Sequence, residues 1–431
     1  MTRFRASLAV STVACALVTG SFLTAADTPG DRYWPQWRGP ASNGVSTTAQ
    51  PPTEWSETKN VRWKIDVPGR GAGTPIVWGD RVYLSTAVPA DPAAGATGVH
   101  KFIVMAINRK DGTVAWQHTA REEAPHERVH QEFGTMASPS LVTDGQSLIA
   151  SFESRGIFAY DMNGKLLWQQ DLGDKRMRNQ FGEGTSPALY KDKIFVVWDH
   201  QGESFIAALD RKSGKELWKV AREEIDSWAT PLVLEASGGA QVITGAMNKV
   251  RSYDAQTGKV VWETGGLTMN PIPSPVSADG LVYLMSGFRG NSLKAIRFAD
   301  AKGDITGTPA VVWTLERDTP YVASPLLYDG ILYFLKDRVN LLTALDAKTG
   351  TPHYTTQRIE GIPGQVFASP VGAAGRIYVL GQEGTTVVLK HGKALEPIAT
   401  NKLDDKFDAS PALVDKEIYL RGYKRLYCIA D

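Results

Sequence analysis

Cysteine is nearly absent from this chain: Cys15 and Cys428 are the only two in 431 residues. With Cys15 inside an apolar N-terminal run, no intramolecular disulfide is expected in the mature protein, and the fold must hold through its apolar core. Net charge is missing too, since 47 basic residues face 46 acidic ones, which excludes a global electrostatic bias toward nucleic acid or acidic lipid. Nucleic acid is therefore not expected as a partner. After Leu23 no apolar run is long enough to span a bilayer, so no transmembrane domain is expected in the mature chain.

The first residues read as an export signal. Arg3 and Arg5 precede an apolar stretch from Ala6 to Leu23, and the small residues Thr24 and Ala26 suit cleavage before Asp27. Residues 1–26 are expected to be a signal peptide that sends the protein to the periplasm or cell envelope. An uncut signal anchor is the alternative, and lipid modification at Cys15 fits poorly because Leu is missing from the third position before it.

What the chain has in abundance is a repeat. Ser or Thr followed by Pro recurs at Thr74, Ser138, Ser186, Thr230, Ser274, Ser324, Ser369 and Ser410, with 44-residue steps from Ser186 to Thr230 and from Thr230 to Ser274. That spacing is the period of a four-stranded propeller blade. Each unit repeats a Pro-led apolar segment, a turn such as "ADG", two segments of Val, Ile, Leu, Tyr and Phe, a turn such as "RKSGK", and a segment with Trp. Glycine turns between such segments are hairpin chemistry. One such sheet cannot bury both its faces, so the units must stack radially into a ring. After Ser410 only three strand segments remain, while "NVRWKIDV" at residues 60–67 has the character of a fourth. The expected fold is all-β: an eight-bladed β-propeller of four-stranded antiparallel blades over residues 60–431. Its last blade is closed by the N-terminal strand near Trp63, and residues 27–59 form an irregular extension packed on the propeller.

Trp116, Trp168, Trp218, Trp262 and Trp313 occupy the fourth segment of successive units, and Trp63 sits in the closing one. Packing across the gap between blades is the role expected of all six. Units six and seven depart, with Tyr354 in the first and no aromatic in "GKALEPIA" of the second, so those joints are expected to pack differently.

The repeat "ALDRKSGKELW" resembles the tryptophan-docking motif of the PQQ-like (pyrroloquinoline-quinone-like) β-propeller superfamily. "WPQWRGPASNGVS" from Trp34 to Ser46, with "MSGFRGNSLKAI", "GDITGT" and "DTPYVASPLLYDG", is similar to its exported BamB-like members. The resemblance covers nearly all of the mature chain and implies two roles, between which fold does not choose. Non-catalytic members are binding or protein-assembly scaffolds, the role expected here. That role needs no cofactor, and its partner is another envelope protein or a small ligand in the central funnel. Catalytic members are PQQ- and calcium-dependent dehydrogenases of alcohols or sugars, the alternative. Those alcohol dehydrogenases are longer and typically hold the cofactor against a vicinal disulfide, which Cys428 alone does not supply; the soluble sugar dehydrogenases dispense with it.

Strand order places two kinds of tight turn on one face of the ring. The interblade connections and the second-to-third-strand loops share the other face, which is richer in functional side chains. Candidate binding residues from the connections are Arg178, Asn179, Glu183, Asp226, Trp228, Asn270, Tyr321 and Asp408, and from the loops Arg155, Arg289, Arg338 and Arg421. Planar guanidinium forks suit a shared carboxylate or phosphate; pairing with Glu183, Asp226 and Asp408 is the competing outcome. One further motif stands on this face: "HERVH", whose His126, Glu127 and His130 match the H-E-x-x-H zinc pattern. No zincin ligand motif follows it. His126 and His130, with His200 from another loop, form a candidate metal set, and a metal-dependent hydrolase is the remaining reading.

Overall fold

The computed structural model describes residues 30–236 and 238–431, so the expected signal peptide and Cys15 lie outside the described residues. The chain is an eight-bladed β-propeller of four-stranded antiparallel blades. Blades 1 to 7 span residues 76–123, 142–170, 188–221, 232–265, 276–315, 326–358 and 371–402. Blade 8 joins the strands within residues 412–430 to Val61–Asp66, which runs antiparallel to Arg425–Ala430 with Trp63 opposite Cys428. The inner strands are buried on both faces and the outer ones on one, as Ser147–Ser151 and Glu216–Ala221 illustrate. Apolar clusters fill the gaps between neighbouring blades rather than one central core.

At the axis the blades are stitched by side chains. The residue two positions before each inner strand is Ser or Thr, and its backbone N–H donates to the hydroxyl of the next blade's counterpart. Thr74 donates to Ser140 at 2.9 Å, Ser140 to Ser186 at 2.9 Å, Ser186 to Thr230 at 3.2 Å and Thr230 to Ser274 at 3.2 Å. Ser274 then donates to Ser324 at 2.9 Å, Ser324 to Ser369 at 2.8 Å and Ser369 to Ser410 at 2.8 Å. The proline that follows has no N–H to satisfy and fixes the strand's entry. In blade 2 the belt uses Ser140, two residues past the Ser138-Pro139 dipeptide that marks the repeat in the sequence, and Leu141 stands where other blades have Pro. The Thr74 hydroxyl has no partner, so the belt is open between blades 8 and 1. The outer strand Val61–Asp66 spans that joint instead.

Toward the rim, indoles hold the blades together. Trp168 Nε1 donates to Arg211 O at 2.8 Å, in the next blade's turn, and its ring lies flat on Gly214. Gly214 has φ +70°, and a Cβ there would come within 2.5 Å of the indole. The same pairing joins Trp63 to Arg109 O, Trp116 to Met162 O, Trp218 to Ala255 O and Trp313 to Ala347 O. Trp262 departs from it: fully buried, it donates within its own blade to Gln241 Oε1 at 3.2 Å. The cause is blade 5, whose third and fourth strands are joined by a long connection instead of a glycine turn. That connection lays Gly303–Asp304 parallel along Val260–Gly265.

The joints without Trp pack by other means. Between blades 6 and 7, His391 stacks on Tyr328 at 4.3 Å and hydrogen-bonds the Tyr333 hydroxyl. Blade 7 lacks an aromatic in its outer strand, and Trp55 of the N-terminal segment covers it: Trp55 stacks on Tyr378, and its backbone N–H donates to Asn401 Oδ1 at 2.7 Å. The rest of that segment crosses the ring at the tight-turn end. It bridges Trp34 to Val77, passes Pro35 to Thr143, and pairs Val45–Ser46 parallel to blade 7.

These contacts make a clean comparison between two glycines of equal φ class. Gly214→Ala combines left-handed strain with a clash against Trp168 and is expected to lose about 2–4 kcal/mol. Gly280→Ala, at φ +75° with nothing within 4 Å of its added Cβ, is expected to lose about 1 kcal/mol. Denaturant unfolding of both variants measures the difference, and equal losses would show that the indole does not constrain the turn.

Candidate functional site

The belt fixes where the interblade connections begin, and these converge with the second-to-third-strand loops on one mouth of the ring. They enclose a cavity of about 400 Å³ on the axis. Six belt residues, Ser140, Ser186, Thr230, Ser274, Ser324 and Ser369, form its base. Trp37 closes that base, with Nε1 donating to Ser274 Oγ at 2.9 Å. Its walls are aromatic: His130, Phe133, Phe181, Trp228, Phe288, Tyr321 and Phe367. Phe288 stacks on Tyr321 at 4.6 Å, and Phe133 lies between His130 at 4.8 Å and Phe367 at 4.7 Å.

Three acidic or basic residues line the cavity: Glu183, Arg338 and Asp408. The Asp408 carboxylate accepts from the Tyr423 hydroxyl at 2.6 Å and from Gln382 Nε2 at 2.9 Å, and burial raises its carboxyl above the ordinary range. Glu183 accepts from the Ser154 N–H at 2.9 Å. Burial first, and then the nearby Glu153 carboxylate, raise its carboxyl to about 8. Glu153 is itself paired with Lys175 at 2.5 Å, with both side chains enclosed. Arg338 sits over the Tyr321 ring at 5.4 Å and 3.5 Å from Asp337.

Of the twelve residues proposed for this face, the structure brings Glu183, Trp228, Tyr321, Arg338 and Asp408 to the cavity. The arginines do not converge. Arg155 is paired with Glu123 and Asp174, Arg178 with Asp226 at 3.1 Å, and Arg289 lies over Phe288. Arg421 is 2% exposed and bonds its neighbour's carbonyl, Gly422 O. Asn179 is exposed in a short 3-10 turn, and Asn270 is buried with no partner for its amide. Arg155, Arg178, Arg289 and Arg338 each found a local acid or ring, and Arg421 a backbone carbonyl, so no common ligand site forms among them.

The "HERVH" segment has no helix, so its residues do not share a helical face. His126 Nε2 meets Lys175 O, the Glu127 carboxylate accepts from the Met177 N–H at 3.0 Å, and the His130 N–H donates to Phe181 O. His200 Nδ1 accepts from the Arg176 N–H at 3.1 Å. Among the described residues no three His, Cys, Asp or Glu side chains gather in a metal-binding arrangement, so His126, His130 and His200 are not a ligand set here. The segment is a strap instead, carrying Phe133 across the cavity mouth to Phe367.

The family model described as outer membrane protein assembly factor BamB matches residues 45–203 and 202–431. The chain belongs to that family. Two relatives are each 24% identical to this BamB-family chain. A polyvinylalcohol dehydrogenase of a Pseudomonas species matches over 246 residues, 47% of this chain and 35% of that protein. The tetrathionate hydrolase of Acidithiobacillus ferrooxidans matches over 319 residues, 64% of this chain and 57% of that protein. The chain thus spans between about a third and three fifths of the length of these relatives. Among solved structures, BamB from Moraxella catarrhalis shares the fold with a TM-score of 0.59 at 15% identity, over 85% of this chain and 96% of that one.

PQQ and calcium, implied by the dehydrogenase branch of the PQQ-like superfamily, do not fit the residues that line this BamB-family cavity. PQQ carries three carboxylates, yet Arg338 is the one arginine or lysine in the lining, which also holds the acids Glu183 and Asp408. Both acids already hold hydrogen bonds from the protein, and among the described residues no cluster of three acidic or other ligating side chains stands ready for calcium. Cys428 is buried away from the cavity and has no neighbouring cysteine. The sequence analysis named Trp228 and Tyr321 but missed the phenylalanines of the collar, Phe133, Phe181, Phe288 and Phe367. A signal was present: Phe133 and Phe181 each open an F-G pair five residues before a Ser-Pro, and Phe367, like Trp228 and Tyr321, stands two or three residues before a Ser-Pro or Thr-Pro.

The raised Glu183 carboxyl gives a pH test with a definite sign. The folded state keeps a proton that the unfolded chain releases between pH 4.5 and about 8, so this group's stabilisation is full below that window and lost as pH rises through it. Glu183→Gln accepts the same N–H and carries no titration. Wild type is therefore expected to lose thermal stability relative to Glu183→Gln as pH rises through the window, and parallel pH profiles would contradict the assignment.

Proposed function

We propose that this protein is a non-catalytic binding scaffold of the cell envelope, exported by its N-terminal segment, which engages another envelope protein or a small ligand through the loop-rich face and its central funnel. The observation that carries this reading is the cavity wall: half-buried aromatic side chains open toward the axis while the surrounding charges are paired among themselves. Apolar, rotamer-poor rings on rigid loops suit recognition. Nothing in the lining supplies a nucleophile next to a base, or an open metal site. The family's description as an outer membrane assembly factor supports the envelope location and a partner there.

A photo-crosslinking residue tests the face directly. Placed at Arg289 on the loop-rich side, in the cells that make the protein, it is expected to yield a discrete adduct; placed at Lys215 in a tight turn on the opposite side, it is expected to yield none. Adducts from Lys215 alone would move the working surface to the other face and overturn the proposal.

A further inference from the structure

Exposed aliphatic side chains are few on this protein, and most fall in one place. Seven large hydrophobic residues are exposed among the described residues, and five of them are Val114, Leu166, Leu167, Leu217 and Val260, each 43–48% exposed. All five stand one or two positions before the outer-strand tryptophan of blades 1 to 4, just past the glycine of the turn that leads into the strand. At about 3.4 Å per strand residue, that keeps them within roughly 10 Å of the tight-turn end. An isolated exposed leucine is ordinary, but the same place filled in four neighbouring blades makes one aliphatic stripe around a corner of the ring. A sixth, Ile398, holds the equivalent place in blade 7.

The turns that lead into these strands carry Lys110, Lys165, Lys212, Lys215 and Lys259, all of them exposed. Among the described residues no acidic side chain pairs with any of the five. The aspartates of the same turns hold their own backbone: Asp161 accepts from the Lys165 N–H, Asp210 from the Ser213 N–H and Asp254 from the Thr257 N–H. On the loop-rich face, by contrast, cations such as Arg155 and Arg178 are paired. Aliphatic side chains edged by unpaired lysines match the interface of an anionic bilayer, where the acyl boundary and the phosphates lie within reach of one lysine stem. The chain also enters the ring at this end: Arg32 pairs with Asp415 and Tyr33 packs on Trp78 at 5.1 Å, beside the first turns of blades 8 and 1. The apolar run that ends at Leu23 joins the described chain at Gly30, which keeps this end within roughly 25 Å of a membrane holding that run. We propose that the tight-turn corner of blades 1 to 4 docks on a membrane of anionic phospholipid, with the aliphatic stripe in the headgroup layer and the lysines on its phosphates. Docking here rests on the envelope location proposed above and leaves the loop-rich mouth, at the other end of the ring, open to its own partner.

The mature chain from Asp27 tests the corner without the apolar run. In vesicle flotation it is expected to bind an equal mixture of phosphatidylglycerol and phosphatidylcholine, to ignore phosphatidylcholine alone, and to release as salt rises. Lys165→Gln, Lys212→Gln and Lys215→Gln together are expected to weaken binding roughly a hundredfold, at about fivefold for each lysine. Leu167→Gln with Leu217→Gln keeps every charge and removes aliphatic contact, and is expected to weaken binding about tenfold or more. Because Cys428 is buried, an introduced cysteine takes a thiol-directed dye selectively. An environment-sensitive dye on Leu167→Cys is expected to shift to the blue on the mixed vesicles. The same dye on Val99→Cys, at the tip of the long hairpin that blade 1 extends on the loop-rich side, is expected to stay unshifted. No binding to the mixed vesicles, equal binding to phosphatidylcholine alone, either set of variants binding like wild type, or a blue shift from Val99→Cys in place of Leu167→Cys would each overturn the assignment.

Discussion

One hydrogen bond, repeated seven times around the axis, sets the rest of this structure: a backbone N–H handed to the hydroxyl of the next blade. The donor and the acceptor belong to the same kind of residue at the same place in each unit, so blades 2 to 7 both give and receive, blade 1 only gives and blade 8 only receives. Twisted sheets packed only by apolar faces are free to slide over one another, whereas a directional bond near the axis fixes their rotation. The rim contacts complete the constraint, with Trp63, Trp116, Trp168, Trp218 and Trp313 each seated on a glycine at positive φ in the next blade's turn. At the joint between blades 8 and 1, where the belt is open, the chain relies on Val61–Asp66 pairing with its own C-terminal strand.

Function follows from what that frame leaves outside it. The belt places the connections of successive blades at the same height, and aromatic residues just before the belt positions therefore face one another across the funnel. Charge on this face is abundant but mostly spent locally, as in Arg155 with Asp174 and Arg178 with Asp226. What stays available is aromatic surface, and it is this surface that the proposed scaffold role uses. The N-terminal segment works at the other end, crossing the ring, covering blade 7 with Trp55 and enclosing Arg38.

Much of the fold was legible because it is periodic. The Ser/Thr-Pro spacing and the Trp after a glycine turn each report a local geometry that recurs at a fixed sequence interval. Where one local substitution broke the period, the sequence misled: Ser138-Pro139 looks like a belt position, but Ser140 holds it, and Trp262 has the motif without a turn to dock on. The site was harder to read, because its residues come from connections of unequal length that have no common phase. Listing polar side chains by loop found Asp408 and Arg338 yet missed Phe133 and Phe367, whose meeting depends on a strap reaching across the ring. The histidines of "HERVH" show the same limit, since a spacing of four matters only on a helix, and this segment forms none.

The claim at the centre of this account is that a superfamily fold shared with quinone enzymes here carries a binding surface and not a quinone site. Titration of the metal-stripped and then calcium-loaded protein with PQQ, followed by tryptophan quenching alongside an artificial-acceptor assay over alcohols and sugars, tests it most directly. The account predicts no saturable quenching at micromolar PQQ and no turnover. Stoichiometric binding accompanied by turnover would contradict it and make the aromatic funnel a cofactor pocket.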